Sequence, residues 1–267
     1  MKRLIGAAIM ACLLASSCGV PKEDDYGIPS SPAPATSAAS RPTDIPSSAY
    51  ARLKPISPKS DCEVSGDLEG RFTKSQMAQY LECIVPDVDR WIDVTYQEMP
   101  HPKGYFFVPS GISAVLGDCP VNDKVLQYCG NVDQIFLGQA AVWQQYSVYG
   151  DAAPPVVVAH ELGHHFQHEV GMKMAAGNAQ IRYENQADCV AGAYMSWARS
   201  RGLMSRDDVK DLSGSLIAAA DADGPRRDHG TKSERIGAFE LSYDNVKNVR
   251  PTLRNCNQYV PEIPIVQ

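Results

Sequence analysis

The pentapeptide His160-Glu161-Leu162-Gly163-His164 carries residue types that can hold a divalent metal and activate a water. On a helix His160 and His164 are i and i+4, so both imidazoles leave one face and reach one ion. Zinc suits two neutral imidazoles, one further protein ligand and a water in the fourth place. Glu161 follows the first histidine directly, where its carboxylate can hold that water and take its proton. The chemistry this stretch points to is metal-assisted hydrolysis.

The surrounding residues predict a buried helix. Pro154 and Pro155 suit a first turn, and Val156, Val157 and Val158 give an apolar entry. Gly163 costs a helix interior about 1 kcal/mol relative to alanine, which implies a close neighbour there. His165 is turned about 100° from His164 and cannot share its ion. His168 is a further turn along. Both are expected to be packing or surface histidines.

The longer three-histidine pattern would need a glycine at 167 and a histidine at 170, but the chain has Gln167 and Val170. The third ligand must come from elsewhere. Tyr183-Glu184-Asn185-Gln186-Ala187-Asp188 offers E-x-x-x-D on a second predicted helix, with Glu184 and Asp188 on one face. Glu184 is the candidate ligand. Asp188 is placed to accept the outer N–H of a ligand histidine, His160 in the first instance. Ala187, Ala191, Gly192 and Ala193 let a second helix approach closely. A solvated salt-bridge helix would be the bland alternative, but these small neighbours speak against it.

The remaining elements must bring these two helices together. Helices are expected over 73–85 and 87–98, split by Pro86, and over 139–149, 179–201, 206–221 and 231–247. Tyr105–Val108 and Asp133–Leu137 read as strands, and residues 111–131 as a loop in which Cys119 and Cys129 close a small hairpin. The fold class is α+β, helix-rich, with few strands. The strand at 133–137 could offer an edge to an extended substrate.

The N-terminus reads as a targeting segment. Lys2 and Arg3 precede an apolar run, Leu4 to Leu14, too short to span a bilayer. Leu14-Ala15-Ser16-Ser17-Cys18 resembles a bacterial lipobox, so residues 1–17 would be removed and Cys18 lipidated; a plain signal peptide cut nearby is the alternative. Residues 18–60, rich in Pro, Ser and Ala, should form a disordered tether with a reach of about 35–40 Å. A single domain over 61–267 follows. This places the protein as a membrane lipoprotein on the extracytoplasmic side.

The formal charge of −6 and pI near 5.5 give no nucleic-acid surface, and the 44% apolar content suffices for a real core. Without Cys12 and Cys18, six cysteines remain: Cys62, Cys83, Cys119, Cys129, Cys189 and Cys256. An even set in an exported chain argues for disulfides. Proximity favours Cys62–Cys83 and Cys119–Cys129, leaving Cys189–Cys256. Thiolate zinc is the rival, but no C-x-x-C occurs.

H-E-x-x-H followed, twenty residues after its second histidine, by E-x-x-x-D resembles the gluzincin arrangement of ligands. More specifically, His160–Gln167 with Glu184–Gly192 looks like the bacterial neutral zinc metallopeptidase family. Gln127-Tyr128-Cys129, His229-Gly230-Thr231 with Arg235 following, and Cys256-Asn257 add weaker similarities over roughly 105–260. Asn185, where that family usually has leucine, and the region 60–104 depart from it. The resemblance implies a zincin-like metallopeptidase domain with a small β-sheet and one zinc ion held by His160, His164 and Glu184. It also implies Glu161 as general base and peptide or protein substrates. His229 and Tyr183 are candidates to steady the oxyanion, His229 on the family pattern. A zincin-fold envelope assembly or binding protein with little proteolysis, or a structural zinc site in a scaffold, would be the other classes. The intact Glu161 argues against the first and the missing fourth protein ligand against the second.

Overall fold

The computed structural model describes residues 47–57, 68–173, 179–204, 208–222, 224, 227–243 and 253–267. The expected signal segment, Cys18 and Cys62 lie outside them. The described residues form an α+β domain rich in helix, with a small mixed sheet.

The sheet has the order β1 (Lys54–Pro55), β2 (Gly104–Val108), β6 (Gln134–Gly138), β5 (Leu126–Cys129). β2 and β6 run parallel, Tyr105 opposite Ile135, while β5 returns antiparallel with Tyr128 opposite Ile135. β3 (Ser113–Leu116) and β4 (Cys119–Asn122) make a separate hairpin. Residues 111–131, expected as a loop, therefore hold three short strands. Their four-residue lengths give too little alternation to be told from loop. β6 has partners on both sides, so it offers no edge to a substrate; β5 is the edge strand on that side.

Residues 47–57, assigned by composition to the tether, lie on the domain. α1 (Ser47–Tyr50) sets Tyr50 against Phe106 at 5.4 Å between ring centres, and Leu53 is buried. A few apolar groups suffice here because β1 adds to a sheet edge that already exists.

Helix α2 runs unbroken over Met77–Thr95 with Pro86 inside it, where two helices were expected. The proline removes one backbone bond, to the carbonyl of Glu82, a residue that is only partly buried. The apolar face continues across the proline through Leu81, Ile84, Val85, Val88, Trp91 and Ile92, and burial outweighs the lost bond. Trp91 packs on Phe166 and Tyr194, tying α2 to both helices that carry the motifs.

α3 (Gln139–Tyr149) follows β6 directly. Gly138 is needed at the junction, since a Cβ would come within 2.6 Å of the Asp123 backbone; the Asp123 carbonyl accepts the first free N–H groups of the helix. α4 (Ala153–Glu169) and α5 (Gln180–Ser200) then pair closely. A Cβ on Gly163 would lie 2.7 Å from the Cα of Ala187, the close neighbour that a mid-helix glycine implied. α6 (Asp208–Ala218) and α7 (Lys232–Tyr243) complete the helices. α7 crosses α5 where Gly192 leaves no room for a Cβ beside the Phe239 carbonyl. A 3-10 turn at Leu253–Gln258 brings Cys256 to Cys189.

Candidate metal centre

His160 and His164 lie on α4 and Glu184 on α5, and one ligand atom from each falls within 4.8 Å of the others. The two Nε2 atoms are 3.1 Å apart, with rings at 89°. Glu184 Oε2 is 3.4 Å from His160 Nε2, and Oε1 is 3.7 Å from His164 Nε2. His160 and Glu184 are buried, so charge here acts through little water.

The hydrogen bonds decide what this cluster can hold. His160 Nδ1 donates to Asp188 Oδ1 at 2.8 Å. Arg235 donates Nε–H and Nη2–H to the two oxygens of the same carboxylate, at 2.8 and 2.7 Å. His164 Nδ1 meets Gln167 Oε1 at 2.9 Å. Gln167 uses its NH2 on the Tyr183 carbonyl and on Gln186 Oε1, so its oxygen is the acceptor and His164 Nδ1 carries the proton. Both outer nitrogens being protonated, both Nε2 lone pairs turn inward, beside a carboxylate. Such a set of bases suits a cation, and two imidazoles with one carboxylate suit zinc.

A proton competes for the same place. Burial would lower the pKa of His160, but Asp188 and Glu184 outweigh it and push it up to about 10. Burial would raise Glu184, yet His160, His164 and His229 hold it well below the carboxylate range. Asp188 is likewise held low, by Arg235 and His160 against its burial. Occupation by a divalent ion requires His160 to release its proton.

Glu161 follows His160 on α4 and is buried. Its Oε2 accepts the backbone N–H of Tyr128 on β5 at 2.7 Å. Burial raises its pKa, opposed by His160, His164 and that hydrogen bond. A carboxylate so placed is a proton acceptor of enhanced basicity beside the ligand set.

His229 sits in the segment before α7, with its side chain about half exposed. It is the smallest of these influences on Glu184, after burial, His160 and His164. The segment is fixed from two sides. Asp221 Oδ2 accepts the backbone N–H groups of Asp228 and His229, and the Asp221 N–H donates to the Gly230 carbonyl. Thr231 and Glu234 cap α7 reciprocally. Tyr183 contributes its carbonyl to Gln167. Cys119 pairs with Cys129 and Cys189 with Cys256, at Cα separations of 6.1 and 5.5 Å; Cys83 is disulfide-bonded too.

Residues 116–233 match the family described as "Putative neutral zinc metallopeptidase". The matched stretch spans both motifs and His229-Gly230-Thr231, and stops short of Arg235 and Cys256. It is narrower than the resemblance over 105–260. The chain is 28% identical over 122 residues to the uncharacterized protein YpfJ of Escherichia coli strain K12, covering 36% of this chain and 41% of that one. It is 33% identical over 116 residues to the uncharacterized proteins Mb2605 of Mycobacterium bovis and Rv2575 of Mycobacterium tuberculosis, covering 38% of each chain. The match thus spans about two fifths of these relatives. No solved structure matches the chain.

Gln167, Arg235 and the Tyr128 backbone were not assigned roles from sequence. Gln167 lies three residues after His164, the spacing at which helical side chains meet, and that signal could have found it. Arg235 had only its place after His229-Gly230-Thr231. A backbone N–H carries no sequence signal.

Proposed function

We propose that this chain is a zinc-dependent peptidase that hydrolyses peptide bonds outside the cytoplasm while held to a membrane by a lipid on Cys18. The reading rests on one observation above all. Two histidine Nε2 lone pairs and the Glu184 carboxylate converge, with the buried Glu161 carboxylate one residue from the first ligand.

His160, His164 and Glu184 would hold the ion. Asp188 and Gln167 keep both imidazoles in the tautomer that presents Nε2. Zinc, when bound, supplies Lewis acidity that lowers the pKa of a water toward about 7. Glu161 takes the proton of the attacking water and returns it to the leaving amine. His229 donates toward the developing oxyanion; its reach to Glu184 through charge and the clamping of its backbone by Asp221 support this role. β5 is the outer strand of the sheet among the described residues, and an extended peptide could lie along it where its backbone is not engaged by Glu161.

Export is supported by the N-terminal pattern, Lys2-Arg3, the apolar run and Ser17-Cys18, and by the disulfides Cys119–Cys129 and Cys189–Cys256. Among the described residues no helix is long and apolar enough to cross a membrane, and the lipid would be the anchor.

The test is cleavage of a proteome-derived peptide library by the zinc-loaded protein, with Glu161→Gln as control. The variant should keep one zinc and lose cleavage. Equal cleavage by both would remove Glu161 from the reaction; zinc without cleavage in either would favour an assembly or binding role.

A further inference from the structure

A second group of ligand-type side chains lies behind the motif helix: Asp133, His165 and Glu169, with atoms within 4.8 Å. It is poorly made for an ion. His165 is fully buried, and both its nitrogens are engaged, Nδ1 with Asp133 Oδ1 and Nε2 with the Pro100 carbonyl, each at 2.8 Å. Lys103 Nζ is 3.9 Å from the other Asp133 oxygen.

What the group does hold is Tyr128. The Tyr128 hydroxyl donates to Asp133 Oδ1 at 2.9 Å, the same oxygen that meets His165. Its ring stands edge-on to His165, with centres 5.6 Å apart at 72°. Its backbone N–H is the donor to Glu161 Oε2. Glu161 and His165 are i and i+4 on α4, so one helical turn grips Tyr128 at both ends. Asp133, the pivot, has φ of 55°, a left-handed conformation costly for most residues and tolerated by Asp and Asn.

We propose that Tyr128, Asp133 and His165 are positioning residues that set the Glu161 carboxylate for proton transfer, which rests on the reading of Glu161 as general base. A glutamate alone has free torsions to fix; a charge-assisted bond from a strand N–H fixes one oxygen and leaves the other for water. The strand can do this only if its distance from α4 is held, and the phenol–carboxylate–imidazole chain holds it.

The test uses the whole zinc-loaded protein, labelled with 15N. The amide of residue 128 is followed by chemical shift and hydrogen exchange in parent, Tyr128→Phe, Asp133→Ala, Asp133→Asn and Glu161→Gln. Zinc content, kcat and KM are measured alongside. Glu161→Gln should move the amide upfield, reporting the bond directly. Tyr128→Phe and Asp133→Ala should move it the same way and lower kcat about tenfold, with KM within about twofold and zinc retained. Asp133→Asn, which keeps an acceptor oxygen and tolerates the backbone, should recover part of both. Loss of fold alone would instead reduce zinc content. The proposal is overturned if Glu161→Gln leaves the amide unmoved, or if Tyr128→Phe leaves both amide and kcat as in the parent. A parent that cleaves nothing while the amide responds as described would remove the peptidase reading and leave the clamp standing.

Discussion

Gly163 of α4 and Ala187 of α5 face each other with no space for another carbon: a Cβ on Gly163 would stand 2.7 Å from the Ala187 Cα. This contact lies between the two histidines' turn and Glu184, so it sets the separation of the ligands. Gly163→Ala should therefore cost about 1–3 kcal/mol of stability by overpacking, although alanine is the better helix former. It should also weaken zinc by drawing Glu184 away from the imidazoles. Denaturant unfolding and chelator competition measure the two effects; a stabilised variant with unchanged zinc affinity would show that the helices do not meet as described.

Asp188→Asn leaves the shape of the site intact but removes the charge shared by His160 and Arg235. Zinc affinity should fall about 10–100-fold, the usual effect of losing the outer partner of a ligand histidine. The metal-free fold should lose several kcal/mol, about 3–5, because the Arg235 guanidinium stays buried without its carboxylate. Isothermal titration and unfolding curves check both. Unchanged zinc affinity would take Asp188 out of the site.

Zinc uptake should release a proton from His160. Its pKa is raised from 6.5 to about 10, so apparent zinc affinity should climb about tenfold per pH unit across neutrality and level off near the upper value. Calorimetry in buffers of different ionisation heat counts the proton directly. In the metal-free protein the sign reverses. The raised His160 pKa stabilises the fold fully below 6.5, and that contribution fades as pH rises toward about 10. Glu184, held below its ordinary 4.5, stabilises above that value and ceases to do so as pH falls through its folded pKa. Unfolding in chelator should thus show greatest stability in mildly acid solution, while zinc shifts the optimum to higher pH.

Cys256→Ser opens a loop of 67 residues between α5 and the C-terminal turn. The chain-entropy estimate gives a loss of about 4 kcal/mol. Thermal unfolding with and without reductant measures it: the parent should drop to the variant's midpoint on reduction, apart from the share of its other disulfides, and the variant should move by that share alone.

Much of the site could be read in the chain because its spacing is helical. His160 with His164 and Glu184 with Asp188 are i, i+4 pairs, and Gly163 with Ala187 announced how their helices meet. Pro86 misled because the local rule for proline yields when a helix has buried residues on both sides of it. The strands within 111–131 were hidden by their length. Tyr128 and Arg235 escaped because one acts through its backbone and the other on a partner far along the chain, and a sequence marks neither; Gln167 lies one helical turn from His164, a spacing that does mark it. His165, expected as a packing or surface histidine, is buried with a specific use, and only the fold sets Asp133 and Pro100 on either side of it.

The two disulfides with both halves in view each place a half-cystine next to a residue that holds the site in order. Cys129 follows Tyr128, whose N–H steadies Glu161, and Cys189 follows Asp188, which steadies His160. The bonds that need oxidising surroundings are therefore coupled to the groups that would cut peptides. A chain lacking both cross-links would have its two steadying residues, Tyr128 and Asp188, less firmly tethered, so reduction would loosen Glu161 and His160 together.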